Sequence, residues 1–170
     1  GQGRDNKGVL RNILGNNNLS GTITLGSSIF IGTSPGVGND LTVSGLITDG
    51  TKFYGITLFG EGKLILTNTN AYDGNTNLFQ ADLVLRDGKG AGPTGTILIN
   101  SGNSLYLNPL SGGAMTLSNT VNLAGFGRGN VGAIVNENGA NTIDGNVYLN
   151  ASSTISALPS TTLTLLSTLD

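Results

Sequence analysis

Residues 60–85, GEGKLILTNTNAYDGNTNLFQADLVL, decide the fold of this chain. Three apolar pieces, residues 64–66, 78–79 and 83–85, alternate with segments rich in Asn, Asp and Gly, which tolerate tight turns and positive φ. Three strands within 26 residues leave no room for a helix between them, and the connections are not the two-residue loops of simple hairpins. The stretch therefore predicts flat coils of chain stacked on one another, as in a β-solenoid.

Apolar-x-apolar triplets recur along the whole chain. They occupy residues 23–25, 29–31, 41–43, 56–58, 64–66, 83–85, 97–99, 105–107, 115–117, 121–123, 147–149 and 163–165. A period of two places the outer residues of each triplet inward and the middle residue outward. Their irregular spacing fits two or three strands per coil, joined by corners of unequal length. At roughly 20 residues per coil we expect about eight coils, a rod on the order of 40 Å long.

The fold class that follows is all-β, a parallel β-helix with essentially no α-helix. Helices are not expected because no apolar stripe of period 3.6 is present and Gly or Asn interrupts almost every window of ten residues. The alternative is an antiparallel sandwich of many short strands. The parallel solenoid is favoured because hairpin turns are scarce and because the chain contains an internal repeat.

The internal repeat places residues 1–31 over residues 125–155, at an offset of 124. Twelve positions are identical without a gap: Gly1/Gly125, Gly3/Gly127, Arg4/Arg128, Asn6/Asn130, Gly8/Gly132, Asn12/Asn136, Gly15/Gly139, Asn17/Asn141, Gly21/Gly145, Leu25/Leu149, Ser28/Ser152 and Ile31/Ile155. We therefore expect residues 1–170 to form a single solenoid segment that holds one long unit and the beginning of the next. The chain looks cut from an array.

Composition excludes several classes of function. The net charge is −2 and charged residues make up 11%, so no basic field would attract nucleic acid or anionic lipid. Cys and His are absent, which excludes thiolate or imidazole metal ligation and His-based acid–base catalysis. No apolar run approaches the roughly 18 residues that cross a bilayer, and no signal segment opens the chain. We expect a processed piece of a larger protein, or a chain without its own export signal.

A family resemblance rests on residues 60–76. Gly60-x-Gly62-x-Leu64-x-Leu66-Thr67-x-x-Asn70-x-Tyr72-x-Gly74-x-Thr76 resembles the autotransporter-associated β-strand repeat of large bacterial surface proteins. Residues 1–25, 97–108 and 125–149 are similar to the coils that accompany that motif. Ala81-Asp82, where a Gly is usual, and Leu58, where a Lys is common, depart from it. The resemblance implies a right-handed parallel β-helix in a secreted passenger region, and it carries no catalytic residues.

Carboxylates are the first catalytic candidates, because β-helices also include pectin-degrading enzymes that need converging acids. Four of the Asp residues precede Gly (Asp49, Asp73, Asp87 and Asp144), which is typical of turns. The best local cluster is Asp82, Arg86, Asp87 and Lys89, which we interpret as a solvated corner rather than a site. The sequence therefore predicts no catalytic, cofactor-binding or metal-binding residue, and no cofactor.

Other motifs have ordinary explanations. The segment 88–90, Gly-Lys-Gly, lacks the remaining residues of a phosphate loop, and 125–129, GFGRG, lacks dinucleotide spacing. Asn18 and Asn150 match the glycosylation sequon by chance in an Asn-rich chain. Thr pairs at 22/24, 67/69, 94/96 and 162/164 invite an ice-binding interpretation, but they do not recur in every coil. Four tyrosines could stack on sugars, but they are scattered along the chain, and we expect them to cover the strand surface instead: Tyr54, Tyr72, Tyr106 and Tyr148.

The function predicted from sequence is non-catalytic. We expect a structural or adhesive β-solenoid segment of a bacterial cell-surface or extracellular protein, acting as stalk, spacer, adhesin or filament element. Its expected partners are further repeats of the same chain or copies of itself end to end, with surface polysaccharide or another cell as further possibilities. Neither nucleic acid nor membrane insertion is expected. The alternatives are a carbohydrate-active β-helix enzyme, lyase or hydrolase, and, less favoured, an ice-binding solenoid.

Overall fold

The computed structural model of this protein describes residues 1–34, 36 and 38–169. There the backbone forms 19 β-strands, and its only helical elements are 3₁₀ turns at Arg4–Asn6, Leu110–Gly112 and Arg128–Asn130. The strands form seven coils. The first contains β1 (Leu10–Asn12), β2 (Asn17–Leu19) and β3 (Ile23–Thr24), the second β4 (Ile29–Thr33), β5 (Leu41–Val43) and β6 (Ile47–Thr48), the third β7 (Ile56–Gly60) and β8 (Lys63–Leu66), and the fourth β9 (Thr76–Leu78) and β10 (Asp82–Leu85). The fifth contains β11 (Ile97–Ile99), β12 (Leu105–Leu107) and β13 (Thr116–Leu117), the sixth β14 (Val121–Gly125), β15 (Ile134–Asn136) and β16 (Ala140–Ile143), and the seventh β17 (Val147–Ser153), β18 (Ile155–Ala157) and β19 (Thr162–Leu165).

The coils stack through two seven-stranded sheets. Sheet A joins β1, β4, β7, β9, β11, β14 and β17, and sheet B joins β2, β5, β8, β10, β12, β15 and β18. A third side carries the β3–β6 pair and the β13–β16–β19 sheet. Every pairing between the described strands is parallel. The predicted parallel β-solenoid is thereby confirmed, and the antiparallel sandwich is excluded.

The number of coils is seven, against about eight expected, because the corners differ in length. Leu58 pairs with Leu78, only 20 residues later, whereas Ile31 pairs with Leu58, 27 residues later. Beyond the seventh coil, Leu169 pairs with Val147 and so begins another turn on sheet A. At about 4.8 Å per coil the first and last coils lie roughly 29 Å apart.

The core is a continuous apolar column inside the coils. Along β8 the first and third triplet residues, Leu64 and Leu66, are fully buried, while Ile65 between them is half-buried on the outside. The same alternation holds for most triplets. Two differences stand out: Val84, a middle residue, is 3% exposed, and Leu149, an outer residue in the last coil, is 41% exposed. Leu149 is exposed because no further sheet A strand covers it there.

Buried asparagines brace the corners. Six are at most 4% exposed: Asn12, Asn70, Asn103, Asn119, Asn136 and Asn141. The side chain of Asn70 accepts a hydrogen bond from the Ile47 amide at 2.8 Å and donates one to the Gly90 carbonyl at 2.6 Å. It therefore joins the coil below to the coil above. The carboxamides satisfy backbone groups that the strands leave unpaired at the bends.

The motif Asn-x-Tyr-x-Gly-x-Thr has a structural reason at each named position. Tyr72 and Thr76 are fully buried, and their hydroxyl oxygens lie 2.7 Å apart in a hydrogen bond. Burial raises the pKa of the Tyr72 phenol, which therefore stays protonated. Gly74 leaves space for the neighbouring backbone, because a Cβ there would lie 2.4 Å from the Tyr54 carbonyl carbon. The motif thus fixes one tight corner of the third coil.

We expect Tyr72→Phe to lower the free energy of unfolding by about 1–3 kcal/mol, because it leaves the buried Thr76 hydroxyl without its partner. The double variant Tyr72→Phe/Thr76→Val removes both polar groups and should recover most of that loss. Chemical denaturation followed by circular dichroism measures both. A double variant no more stable than Tyr72→Phe alone would show that this hydrogen bond is not what the motif supplies.

The two copies of the internal repeat build the same local structure on different sides of the solenoid. Gly3 and Gly127 have φ of 70° and 77°, and each begins a matching 3₁₀ turn. Asn17 donates to Asn12 at 2.6 Å, and the equivalent pair in the second copy is joined at 2.5 Å. Yet β1 belongs to sheet A, whereas its counterpart β15 belongs to sheet B. The 124-residue offset therefore spans five coils and one further side.

Candidate functional site

Seven charged side chains flank the A/B corner, where the chain passes from sheet A to sheet B. They line three hollows, and Glu61 borders all of them. The Arg11 hollow, about 240 Å³, is lined by Lys7, Arg11, Asn12, Gly32, Thr33, Ser34, Phe59, Gly60, Glu61 and Gln80. The Asp82 hollow, about 370 Å³, is lined by Gly36, Gly38, Asp40, Glu61, Gly62, Lys63, Asp82 and Arg128. The third, about 230 Å³, is lined by Glu61, Phe79, Gln80, Ser101, Gly102, Asn103 and Arg128.

An ion pair between a buried carboxylate and a partly exposed guanidinium anchors the Asp82 hollow. Asp82 begins β10 and is 1% exposed; its Oδ2 accepts a 2.7 Å bond from Arg128 Nε. Its other oxygen accepts the Ser104 amide at 2.8 Å. Arg128, two coils away, also donates to the Gln80 carbonyl at 3.1 Å. The Ser104 hydroxyl completes the network, accepting from the Arg128 amide and donating to the Gly132 carbonyl. The network ties together three successive coils.

Two influences shift the pKa of the Asp82 carboxyl in opposite directions. Burial raises the pKa of the Asp82 carboxyl, while the Ser104 amide and the Arg128 guanidinium lower it; burial is the larger effect. Lys63 lies 4.3 Å above the Tyr106 ring, close enough for a cation–π contact. Burial also raises the pKa of Tyr106, helped by the nearby Asp82 charge. Because the Ser104 amide and the Arg128 guanidinium each hold one of the Asp82 oxygens, we assign the carboxyl a cross-coil structural role.

The chemistry available in the Asp82 hollow is limited by that pairing. Asp40 and Glu61 also border it, so three carboxylates and Lys63 surround one space. Acid–base pairs are built from carboxyl groups that flank one space, and the raised pKa of Asp82 is the kind of shift that such a pair uses. In the described part of the chain no three acidic side chains stand in a geometry that could hold a metal ion.

The sequence-derived cluster of Asp82, Arg86, Asp87 and Lys89 does not form one site. Asp82 points into its own hollow at the start of β10, while the other three follow the end of that strand. Asp87 accepts the Thr69 hydroxyl at 3.0 Å and the Lys89 amide at 2.8 Å. Arg86 donates to the Asn108 side chain at 3.3 Å. A separate hollow of about 450 Å³ contains Arg86, Asp87 and Lys89, and no second carboxylate lines it in the described structure.

Asp49 shows how the carboxylate of an Asp-Gly pair stabilises a turn. It is 2% exposed, and its carboxylate accepts the amides of Thr51, Tyr54 and Asp73 at 3.0, 2.9 and 3.2 Å. Burial raises the pKa of Asp49, but together these donors and the Lys52 amide outweigh it, so the net shift is downward. The carboxylate bridges two coils and is not free for catalysis.

The tyrosines and threonines do not assemble into binding faces. Tyr72 is buried, and Tyr148, at 37% exposed, is the most accessible tyrosine. Among the described strands, no two Thr-x-Thr pairs are register partners. Single threonines align instead: Thr24 with Thr48, and Thr142 with both Thr116 and Thr164.

An aromatic row was missed by sequence reasoning. The rings of Phe30 and Phe59 stack with centroids 6.4 Å apart, and those of Phe59 and Phe79 with centroids 5.8 Å apart. The row follows three successive coils beside the hollows. Arg128 was also missed, because 46 residues separate it from Asp82. Only the coil register, which depends on corner lengths, could have found either feature.

Comparisons of this chain with protein-family models, curated proteins and solved structures find no match. Within the described residues, no helix has the length and apolar character needed to cross a membrane.

Proposed function

We propose that this chain is a non-catalytic structural or adhesive β-solenoid segment of a bacterial cell-surface or extracellular protein. The observation that carries the proposal is the parallel ladder that runs through all seven coils over one apolar core. Such a stack adds length with each coil and resists extension through many backbone hydrogen bonds at once. The resemblance of residues 60–76 to the autotransporter-associated repeat supports the surface location.

The two ends of the stack support further coils or a second copy as partners. In the first coil, β1, β2 and β3 each pair on one edge only, as do β18 and β19 in the last coil. Unpaired strand edges are templates for additional strands. Apolar side chains are exposed at both ends: Ile13 and Leu14 are 68% and 77% exposed, and Leu158 and Leu166 are 42% and 69% exposed.

Sedimentation velocity and electron microscopy of the purified chain over a range of concentrations test this proposal. We expect elongated oligomers whose lengths are multiples of one solenoid, because each end offers an open sheet edge to the other. Introducing charge at the last coil with Leu158→Lys and Leu166→Lys should suppress the association. Leu110→Lys is the matched control, since Leu110 is 56% exposed but lies in the middle of the stack.

Two results would contradict end-to-end stacking. One is a chain that remains monomeric at hundreds of micromolar. The other is association that Leu110→Lys weakens as much as the two end substitutions do, because the contact would then be lateral.

A carbohydrate-active enzyme is the second candidate, favoured by the carboxylates of Asp40, Glu61 and Asp82 around one hollow. It predicts the release of reducing ends from polygalacturonate and the loss of that release in Glu61→Gln. The structural role predicts no release by either protein.

A further inference from the structure

The Arg11 hollow lies beside a column on sheet A in which one position has no side chain. Parallel register aligns Arg11 with Gly32 and Gly32 with Phe59 in three successive coils. The backbone of Lys7 covers the glycine, since a Cβ at Gly32 would lie 2.1 Å from the Lys7 carbonyl oxygen. The Arg11 Cγ lies 3.2 Å from the same Cβ position. Gly32 therefore lets the Lys7 backbone and the Arg11 stem pack together at the edge of the hollow.

The charged side chains that line this hollow form no ion pair with any residue that the structure describes. Lys7 and Arg11 line it together with Glu61. Within the described residues the only ion pair is Asp82–Arg128, so neither cation forms a salt bridge with Glu61. The side chains of Lys7 and Arg11 form no hydrogen bond in the described structure. Two cations beside one carboxylate give the hollow a net positive charge and favour an anionic group.

The second copy of the repeat shows that these cations are not needed for folding. At the offset of 124, Lys7 corresponds to Val131 and Arg11 to Val135. The 3₁₀ turns nevertheless match, and so do the backbone hydrogen bonds that close them. The Gly8 amide donates to the Gln2 carbonyl at 2.9 Å, and the Gly132 amide donates to the Phe126 carbonyl at 2.8 Å.

The glycine itself is also absent from the second copy. Gly32 corresponds to Ser156, whose hydroxyl donates a hydrogen bond to the Val131 carbonyl at 2.5 Å. The repeat thus keeps its framework and varies the residues that make the hollow.

We propose that the Arg11 hollow binds the carboxylate of an acidic sugar unit. Lys7 and Arg11 hold the carboxylate, and Glu61 and Gln80 bond the sugar hydroxyls. The Phe59 ring edge packs against the C–H groups of the sugar. The volume of about 240 Å³ is below the roughly 300–1,000 Å³ of typical small-molecule pockets, so we assign the hollow one sugar unit and not a longer segment. This inference deepens the adhesive form of the proposed function by naming its ligand class.

Isothermal titration of the chain with trigalacturonate tests the inference. We expect saturable binding of one trimer per chain, weakened at least tenfold by methyl esterification, which removes the charge and keeps the sugar. Lys7→Val and Arg11→Val, which introduce the residues of the second copy, should each weaken binding at least tenfold. Lys52→Val is the matched control, because Lys52 is exposed and lies away from the hollow.

Three outcomes would overturn the inference. They are no saturable binding of trigalacturonate, an equal affinity for the esterified trimer, and displacement of bound trigalacturonate by inorganic phosphate at the same concentration at which free trigalacturonate displaces it. All three use only the unaltered chain, so they do not depend on whether a variant folds. Titration is performed at a concentration where the chain is monomeric. A failure of trigalacturonate binding would not affect the result on end-to-end association, and a failure of association would not affect the result on binding.

Discussion

Leu66→Ala is expected to lower the free energy of unfolding by about 3 kcal/mol, within the roughly 2–5 kcal/mol range of large-to-small core substitutions. Leu66 is fully buried, and its register partners in the coils below and above are Val43 and Leu85. Stacked coils hold these neighbours in place through backbone ladders, so the cavity can collapse only partly. Denaturant unfolding followed by circular dichroism measures the change.

Ile65→Ala on the same strand is the matched control. Ile65 is half-buried on the outside of sheet B, so its truncation should cost about 1 kcal/mol or less. Equal losses for the two variants, or a larger one for Ile65→Ala, would show that the inward and outward faces of β8 have been assigned the wrong way round.

Arg128→Met should cost about 2 kcal/mol near pH 7, because it leaves the carboxylate of Asp82 without its charged donor. The expected loss is below the roughly 3–5 kcal/mol for breaking a fully buried pair, since Arg128 is 36% exposed and water can replace part of it. Met preserves most of the aliphatic volume. The matched control is Arg86→Met, because among the described residues the Arg86 guanidinium bonds only to the Asn108 side chain. This variant should change stability by less than about 0.5 kcal/mol.

The pH dependence of this loss follows from the carboxyl. Burial raises the pKa of Asp82 in the folded protein, and removal of Arg128 raises it further. The folded variant therefore binds the proton more tightly than the unfolded chain does, and its stability falls as pH rises through the folded pKa. The difference in the free energy of unfolding between wild type and Arg128→Met should consequently be small near pH 3 and reach about 2 kcal/mol near pH 7. A gap that stays constant over this range would mean that the substitution acts through packing, not charge.

The architecture was predictable because the period-two triplets and the tight turns act locally. Leu64 and Leu66 face inward for the reason read from the sequence, and the strand order of a solenoid then needs no long-range information. Corner length is different, since a coil can absorb seven extra residues without disturbing its strands, as between Ile31 and Leu58. This explains why the expected coil number was too high by one.

The candidate site could not be predicted, because it depends on register between coils. Asp82 was noticed in the sequence, but it was grouped with its chain neighbours Arg86 and Asp87, which lie at the other end of β10. Its true partner, Arg128, had been assigned to the repeat framework. The Arg11 hollow likewise needs the alignment of Arg11, Gly32 and Phe59, which no local pattern reveals. The same framework sequence even lies on a different side of the solenoid in its second copy.

The most direct measurement of the stacking itself is the distance between spin labels placed down one face of sheet B. The chain contains no Cys, so Asn18→Cys can be paired with Tyr106→Cys or with Ser156→Cys without background labelling. These positions are joined by successive parallel register pairs, four steps from Asn18 to Tyr106 and six to Ser156. At about 4.8 Å per step, we expect backbone separations of roughly 19 Å and 29 Å. Distances that do not grow in proportion to the number of coils would contradict the parallel stack.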